Sequence, residues 1–257
     1  VEATGETVGE AKWHALRESG PVHAGVVSTA SQNVNTGVAA CSTEFAITSN
    51  GTGSRILAST ISAQLSNGTN VRLVTGSGGS QGGNITVSAN IDKSGEAAST
   101  LTLDAANNIS INANITAHEG MLNLELNTGI GYPDVAHVAS VGSNATITLG
   151  GGTLNVRNGY SGGFTNGSLS INGTVSLGSF GGLSAGQVTV GSGGQLLANG
   201  GSQIDLTGLT NNGTITLGGG YSNVSIGESG LVNNGNISMT GAGQVYSTGE
   251  VVNNANG

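Results

Sequence analysis

The chain has 257 residues, of which 47 are glycine and 3% are aromatic, and its formal net charge is −8. Six basic residues strung along the chain exclude the clustered lysines and arginines that bind a nucleic-acid backbone. A single cysteine, Cys41, excludes a scaffold of internal disulfides, and small aliphatic residues in place of aromatic rings favour a narrow interior.

Residues 1–55 differ in pattern from the remainder and are predicted to form an irregular N-terminal cap or linking segment. EAKWHALRES, residues 10–19, holds most of the charge of this region and predicts a short helix, because Gly20-Pro21 follows as a stop signal. The later stretch VVSTASQNVNTGVAACSTEFAITS offers only sparse strand alternation.

Residues 56–257 are predicted to form the coils of a parallel β-helix. Short segments with apolar residues at i and i+2 follow one another, among them VRLV, TLTLDA, MLNLEL, ATITL, TVSL, QIDL and TITL. Residues at this spacing face the same side of a strand, and turns rich in glycine, asparagine and serine separate the segments. GIGYPDVAHVAS breaks the rhythm, so an insertion is predicted near residues 129–140.

The last third of the chain repeats one phrase, as LTNNGTITL, LVNNGNISM and VVNNANG. Asn-Gly between alternating segments is also a hairpin signal, which would favour an antiparallel sandwich or barrel. Asn212, Asn234 and Asn254, however, recur at offsets of 22 and 20 residues, and a solenoid brings such turns together whereas a meander does not. The repeat therefore predicts roughly ten stacked coils, in which the side chains of these asparagines form a hydrogen-bonded ladder.

Residues 59–127 carry several phrases in a fixed order, namely GTNV at Gly68, GNI at Gly83, LTL at Leu101 and LNL at Leu122. In order and spacing these phrases resemble the exoproteins of bacterial two-partner secretion, which include filamentous haemagglutinin and the high-molecular-weight adhesins. The resemblance implies an all-β fold, a right-handed parallel β-helix. The secretion domain of that family carries Asn-Pro-Asn-Gly and Asn-Pro-x-Leu motifs, which this chain lacks, so the resemblance points to the shaft downstream of that domain.

The same resemblance implies a structural shaft segment of a large secreted adhesin on the surface of a Gram-negative bacterium, attaching it to host cells or biofilm matrix. The implied partners are a host-cell receptor, a glycan or a matrix polysaccharide. An outer-membrane partner transporter would engage a region outside this chain. No cofactor and no nucleic-acid partner are expected. The alternative is a glycan- or haem-carrier-binding module on the same scaffold.

Ionisable residues are dispersed, so neither a catalytic residue nor a metal site is predicted. The four histidines stand far apart and are expected to be solvated loop residues: His14, His23, His118 and His137. A polysaccharide lyase or hydrolase is a further alternative, because many β-helical proteins cleave polysaccharides and hydrolases need two carboxylates several ångströms apart. Asp104 and Glu125 would be the pair to examine, since stacked coils could bring them together.

Aromatic residues in the interruptions of the repeat are the candidates for ligand contact. Tyr132 lies in GIGYPDVAHVAS, Tyr160 and Phe164 lie in NGYSGGF, and Tyr221 lies in a later turn. Binding residues tend to sit on loops carried by a rigid scaffold. These four residues are therefore predicted to contact a carbohydrate or a protein, with coverage of a coil edge as the open alternative.

Overall fold

Parallel β-sheets wound as stacked coils make up nearly all of the fold. The computed structural model describes residues 26–31, 44–49, 55–75, 83–130, 137–160 and 163–254. Within these ranges, two sheets of 16 and 7 strands surround a continuous apolar interior. The prediction of a mostly β repeat fold built from parallel sheets is confirmed.

The first described strands extend the larger sheet at its N-terminal edge. β1 (Val26–Ser31) and β2 (Glu44–Ser49) pair antiparallel, and β2 pairs in parallel with β3 (Asn70–Thr75). The predicted cap, residues 1–55, thus contributes two strands to the sheet, where the sequence offers only sparse alternation. The predicted helix at residues 10–19 lies outside the described residues.

A helix, α1 (Ala58–Ser66), stands where the sequence analysis predicts the first coils. Its Ile61 and Leu65 side chains are buried in the core, and apolar residues four apart fit one face of a helix. The Ser62 hydroxyl on this helix accepts a hydrogen bond from the backbone N–H of Asp92 at 2.9 Å. The helix therefore covers an edge strand whose donors would otherwise stay unpaired, and the stacked coils begin only after it.

Each coil contributes one strand, or one half of a long strand, to each of three faces. The first face contains β3, β6 (Ser99–Asp104), β9 (Leu122–Thr128), β12 (Thr153–Tyr160), the first parts of β16 (Gly182–Val190), β18 (Gln203–Asn211) and β20 (Asn223–Asn233), and β22 (Gln244–Ser247). The second contains β4 (Ile85–Val87), β7 (Ile109–Ile111), β10 (Val138–Val141), β14 (Ser168–Ile171), the second parts of β16, β18 and β20, and β23 (Val251–Asn253). The third contains β5 (Ile91–Lys93), β8 (Ile115–Ala117), β11 (Thr146–Thr148), β15 (Thr174–Ser179), β17 (Gln195–Asn199), β19 (Thr214–Gly218) and β21 (Asn236–Thr240).

Equivalent apolar residues of successive coils lie directly over one another. On the first face the register runs through Val71, Leu101, Leu124, Leu154, Leu183, Ile204, Val224 and Val245. Subtracting these numbers gives coil lengths of 20 to 30 residues, because loops of different length leave the coils while the strands stay aligned. All of these side chains except that of Val245 are buried, so the core is one continuous column.

The described residues form seven complete coils and a partial eighth, fewer than the ten that the sequence predicts. At a strand spacing of about 4.8 Å, seven coils rise about 34 Å. The difference arises because α1 and the first two strands occupy residues outside the stack, and because the early coils carry long loops. The predicted insertion near residues 129–140 is one such loop, and its last residues, from Val138, already belong to β10.

Among the described strands, only β1 with β2 and β12 with β13 (Gly163–Asn166) pair antiparallel. The strands that flank Asn212-Gly213, β18 and β19, each pair in parallel with the equivalent strands of adjacent coils. The antiparallel sandwich that the Asn-Gly signal would favour is therefore not formed. Each Asn-Gly turn instead carries the chain from the second face to the third.

Candidate binding corner and asparagine ladders

The asparagines predicted to form a ladder lie over one another at the turn between the second and third faces. Asn234 Nδ2 donates to Asn212 Oδ1 at 2.8 Å, and Asn254 Nδ2 donates to Asn234 Oδ1 at 2.6 Å. All three side chains are exposed. This outer ladder joins three successive coils through their side chains, in addition to the backbone pairing of their strands.

A second, inner ladder precedes the first by one residue, and the sequence analysis missed it. Asn211 Nδ2 donates to Asn233 Oδ1 at 2.8 Å, and Asn233 Nδ2 donates to Asn253 Oδ1 at 2.9 Å. Asn211 and Asn233 are buried. In the earlier coils the same inward position is aliphatic, with Val87, Ile111, Val141, Ile171 and Val190. The Asn-Asn doublet of the repeat was the signal for two ladders rather than one.

A column of glycines follows the two ladders at the same turn. The strand registers align Gly173, Gly194, Gly213 and Gly235 in successive coils. A Cβ atom added to any of them would lie 2.1 to 2.3 Å from a backbone carbonyl oxygen of the preceding coil. Close approach of the backbones, rather than a left-handed φ, is therefore what requires glycine here.

The turn between the third and first faces exposes two aromatic side chains. Tyr221, one of the predicted ligand contacts, is 75% exposed, and Phe180, which the sequence analysis did not select, is 82% exposed. The strands that follow these turns place Gly201 between them in the stack. We call Phe180, Gly201 and Tyr221 the aromatic corner. A glycine-rich stretch that follows a strand and carries one ring was the signal for it.

The other predicted contact residues are only partly described. Tyr160 ends β12 and Phe164 stands in β13, and these strands form a hairpin in which Tyr160 faces Gly163. Their side chains lie outside what the structure describes, as does the whole of Tyr132. The hairpin therefore brings the backbones of Tyr160 and Phe164 together, at a different place in the stack from Tyr221.

The described histidines differ from each other in environment. His118 is exposed, and its Nε2 lies 3.5 Å from Asp92 Oδ1. His137 was expected to be a solvated loop residue but is 5% exposed, with Nδ1 2.7 Å from the side-chain oxygen of Asn107. Burial under the returning loop explains this difference. His14, His23 and Cys41 lie outside the described residues.

The two carboxylates singled out for hydrolysis have different partners. Asp104 is buried, accepts from Arg72 Nε at 2.6 Å, and accepts from Asn127 Nδ2 at 2.7 Å. Glu125 stands in register with Thr102, whose hydroxyl lies 3.5 Å from Glu125 Oε2. Asp104 therefore acts as the acceptor of an ion pair and an amide. No group of three or more potential metal ligands occurs within the described part of the chain.

Lys93, at the end of β5, is fully buried. Its Nζ donates to the backbone carbonyls of Gly95 and Glu119, the latter at 2.7 Å. Burial lowers the pKa of Lys93 from 10.5, and the nearby Glu119 carboxylate opposes this by raising it. The ammonium group joins two adjacent coils through their carbonyl oxygens, at a place where the sequence alone shows an ordinary lysine.

The free energy of unfolding should rise with pH through the contribution of Lys93. Because the folded pKa lies below 10.5, the charged amine is less favourable in the folded chain than in the unfolded chain. This penalty is complete below the folded pKa and disappears as the pH passes 10.5. Urea unfolding of the native chain and of Lys93→Met, compared near pH 8 and near pH 11, measures it. We expect the native chain to gain stability relative to the variant at the higher pH; a relative loss would contradict burial as the cause.

Two global observations complete the description of the candidate sites. No helix in the described ranges is long and apolar enough to cross a membrane. The likeness to two-partner secretion exoproteins rests on the phrases quoted from residues 59–127. In comparisons with family models, with curated proteins and with solved structures, nothing matches this chain.

Proposed function

We propose that this chain is a shaft segment of a large secreted adhesin, built as a right-handed parallel β-helix on the surface of a Gram-negative bacterium. The observation that supports a shaft most directly is the unbroken register of the first face, from β3 to β22. The phrases shared with two-partner secretion exoproteins support the secreted location. An outer-membrane partner transporter would export the parent protein through a region outside this chain.

The mechanism is mechanical. Each coil of a solenoid contacts only its neighbours, so a load along the axis passes from coil to coil through backbone ladders and through the two asparagine ladders. A stiff stack of this kind holds a distal binding region away from the cell, where it meets a host-cell receptor or a matrix polysaccharide. The dispersed ionisable residues fit a role in which no bond is made or broken.

Pulling single molecules from their two ends tests the mechanical role. We expect the chain to resist force and then lengthen in repeated steps, because coils detach one after another. A coil of about 20 residues should release about 70 Å of chain at full extension. Release of the entire solenoid in one step, at a force no higher than that of a small helical bundle, would overturn the shaft.

Antibody labelling of intact source bacteria tests the location. We expect an antibody raised against this chain to bind unpermeabilised cells. Deletion of the parent gene should lower attachment to host cells or to matrix, with growth unchanged as the control. Labelling that requires permeabilised cells would contradict the surface location, and unchanged attachment would contradict adhesion.

A further inference from the structure

The aromatic corner presents its rings in every second coil. Phe180 and Tyr221 are separated by one coil, whose residue at this position is Gly201. Two strand spacings amount to about 9.6 Å, which is close to the length of two linked pyranose rings in an extended chain. A ring is therefore available for alternate sugars of a polymer that lies along the solenoid axis.

The backbone holds Phe180 in an unfavourable conformation. Its φ is +58°, and among the described residues it alone combines a side chain with a left-handed φ. Such a conformation is an outlier for a bulky residue and tends to occur at functional sites. The backbone N–H of Phe180 donates to the Gly200 carbonyl at 3.0 Å, which fixes this turn to the next coil.

The ring of Phe180 rests on the backbone of the next coil. A Cβ added to Gly201 would lie 2.8 Å from ring atoms Cδ1 and Cε1, so the ring covers this glycine. The side chain nevertheless remains 82% exposed. One side of the ring is thus supported and the other is open to solvent, as a preformed stacking surface requires.

We propose that the aromatic corner binds a neutral, extended, β-linked polysaccharide, whose sugar rings stack on Phe180 and Tyr221. This inference deepens the proposed function and rests on the surface location given there. The C–H faces of a β-linked pyranose are apolar and flat, and they match the faces of aromatic rings. The coil between the rings adds two exposed amide side chains, Asn199 and Gln203, beside Gly201, which offer donors and acceptors to sugar hydroxyls.

The charge pattern favours a neutral polymer over an acidic one. The three turns of the corner, residues 178–182, 199–203 and 219–223, contain no charged residue. The chain as a whole carries a net charge of −8, so a sulfated or carboxylated polymer would be repelled. A protein partner fits less well, because a stable protein interface takes about 800 Å² from each partner, more than a ridge of two side chains offers.

Electrophoresis of the purified chain through gels that contain a dissolved polysaccharide tests the proposal. We expect hydroxyethyl cellulose or glycol chitin to retard the native chain and heparin to leave its mobility unchanged. Phe180→Gly, which removes both the ring and the strained side chain, should weaken the dissociation constant about tenfold. Tyr221→Ala should act similarly, while Tyr221→Phe should keep the affinity.

Tyr246→Ala is the matched control, because Tyr246 is 64% exposed but lies on the first face, away from the corner. Absence of retardation in both neutral polymers would overturn the proposal, as would unchanged retardation of the double variant Phe180→Gly/Tyr221→Ala. An equal loss in Tyr246→Ala would overturn the assignment to the corner. Gel binding does not depend on cell location, so retardation without surface labelling would refute the adhesin alone, and surface labelling without retardation would refute the corner alone.

Discussion

Replacing Gly194 with alanine should lower the free energy of unfolding by about 3 kcal/mol or more, whereas the same change at Gly193 should leave it unchanged or raise it slightly. A Cβ on Gly194 would lie 2.1 Å from the backbone oxygen of Ile171 in the preceding coil. Ile171 cannot move away easily, because its strand pairs with the coils on both sides. A Cβ on Gly193 would meet only the Asn172 oxygen, at 3.9 Å.

Urea unfolding followed by circular dichroism measures this difference, with the native chain and both variants at one pH. The two glycines are adjacent, so loss of chain entropy in the unfolded state is matched and only the steric contact differs. Equal stability of the two variants would contradict the close-approach explanation. Gly213→Ala, one coil further along, should reproduce the loss at Gly194, since its Cβ would lie 2.3 Å from the Gly191 oxygen.

The glycine column shows a correct prediction with a different physical cause. The sequence predicts turns at the Asn-Gly pairs, and in a hairpin that signal reflects a left-handed φ. Gly213 and Gly235 are not among the glycines with positive φ in this structure. They are required because stacked backbones approach one another closely, and this contact exists only after neighbouring coils are in place. A single segment of sequence cannot reveal it.

Coil length decides which stacked contacts the sequence can reveal. In the last third the coils have nearly constant length, as Leu183, Ile204, Val224 and Val245 show, so counting residues aligns the asparagines correctly. The same count places Phe180 and Tyr221 two coils apart, because their separation of 41 residues equals two such coils. Earlier coils differ by up to ten residues, and there counting fails.

Side chains that work against local expectation also escape prediction. Nothing near Lys93 in the sequence indicates that its amine will bind the carbonyl oxygens of two coils, and nothing near Asp104 identifies Arg72 and Asn127 as its partners. These contacts join residues 23 to 32 positions apart or depend on burial. They arise from the register of whole coils, which the local pattern of apolar residues does not determine.

Replacing Asn211 with alanine should lower the free energy of unfolding by about 3 kcal/mol, whereas Asn212→Ala should cost less than about 1 kcal/mol. Asn211 is fully buried. It donates to Asn233 Oδ1 at 2.8 Å and to the Asn236 carbonyl at 3.2 Å, and it accepts from the Gly213 N–H at 3.2 Å. Truncation leaves a buried donor and a buried acceptor without partners, and each such group costs about 1–3 kcal/mol.

Asn211→Val separates lost hydrogen bonds from lost volume. The residue beneath it in the column is Val190, so a valine fills the site and continues the aliphatic stack of the earlier coils, yet it cannot pair with the Gly213 N–H. If polar pairing stabilises this turn, Asn211→Val remains destabilised by about 2 kcal/mol; if packing alone does so, it regains native stability. Urea midpoints for the three variants decide between these outcomes. Equal losses at Asn211 and Asn212 would show that the inner ladder contributes no more than the outer one, because the exposed Asn212 can replace its lost partner with water.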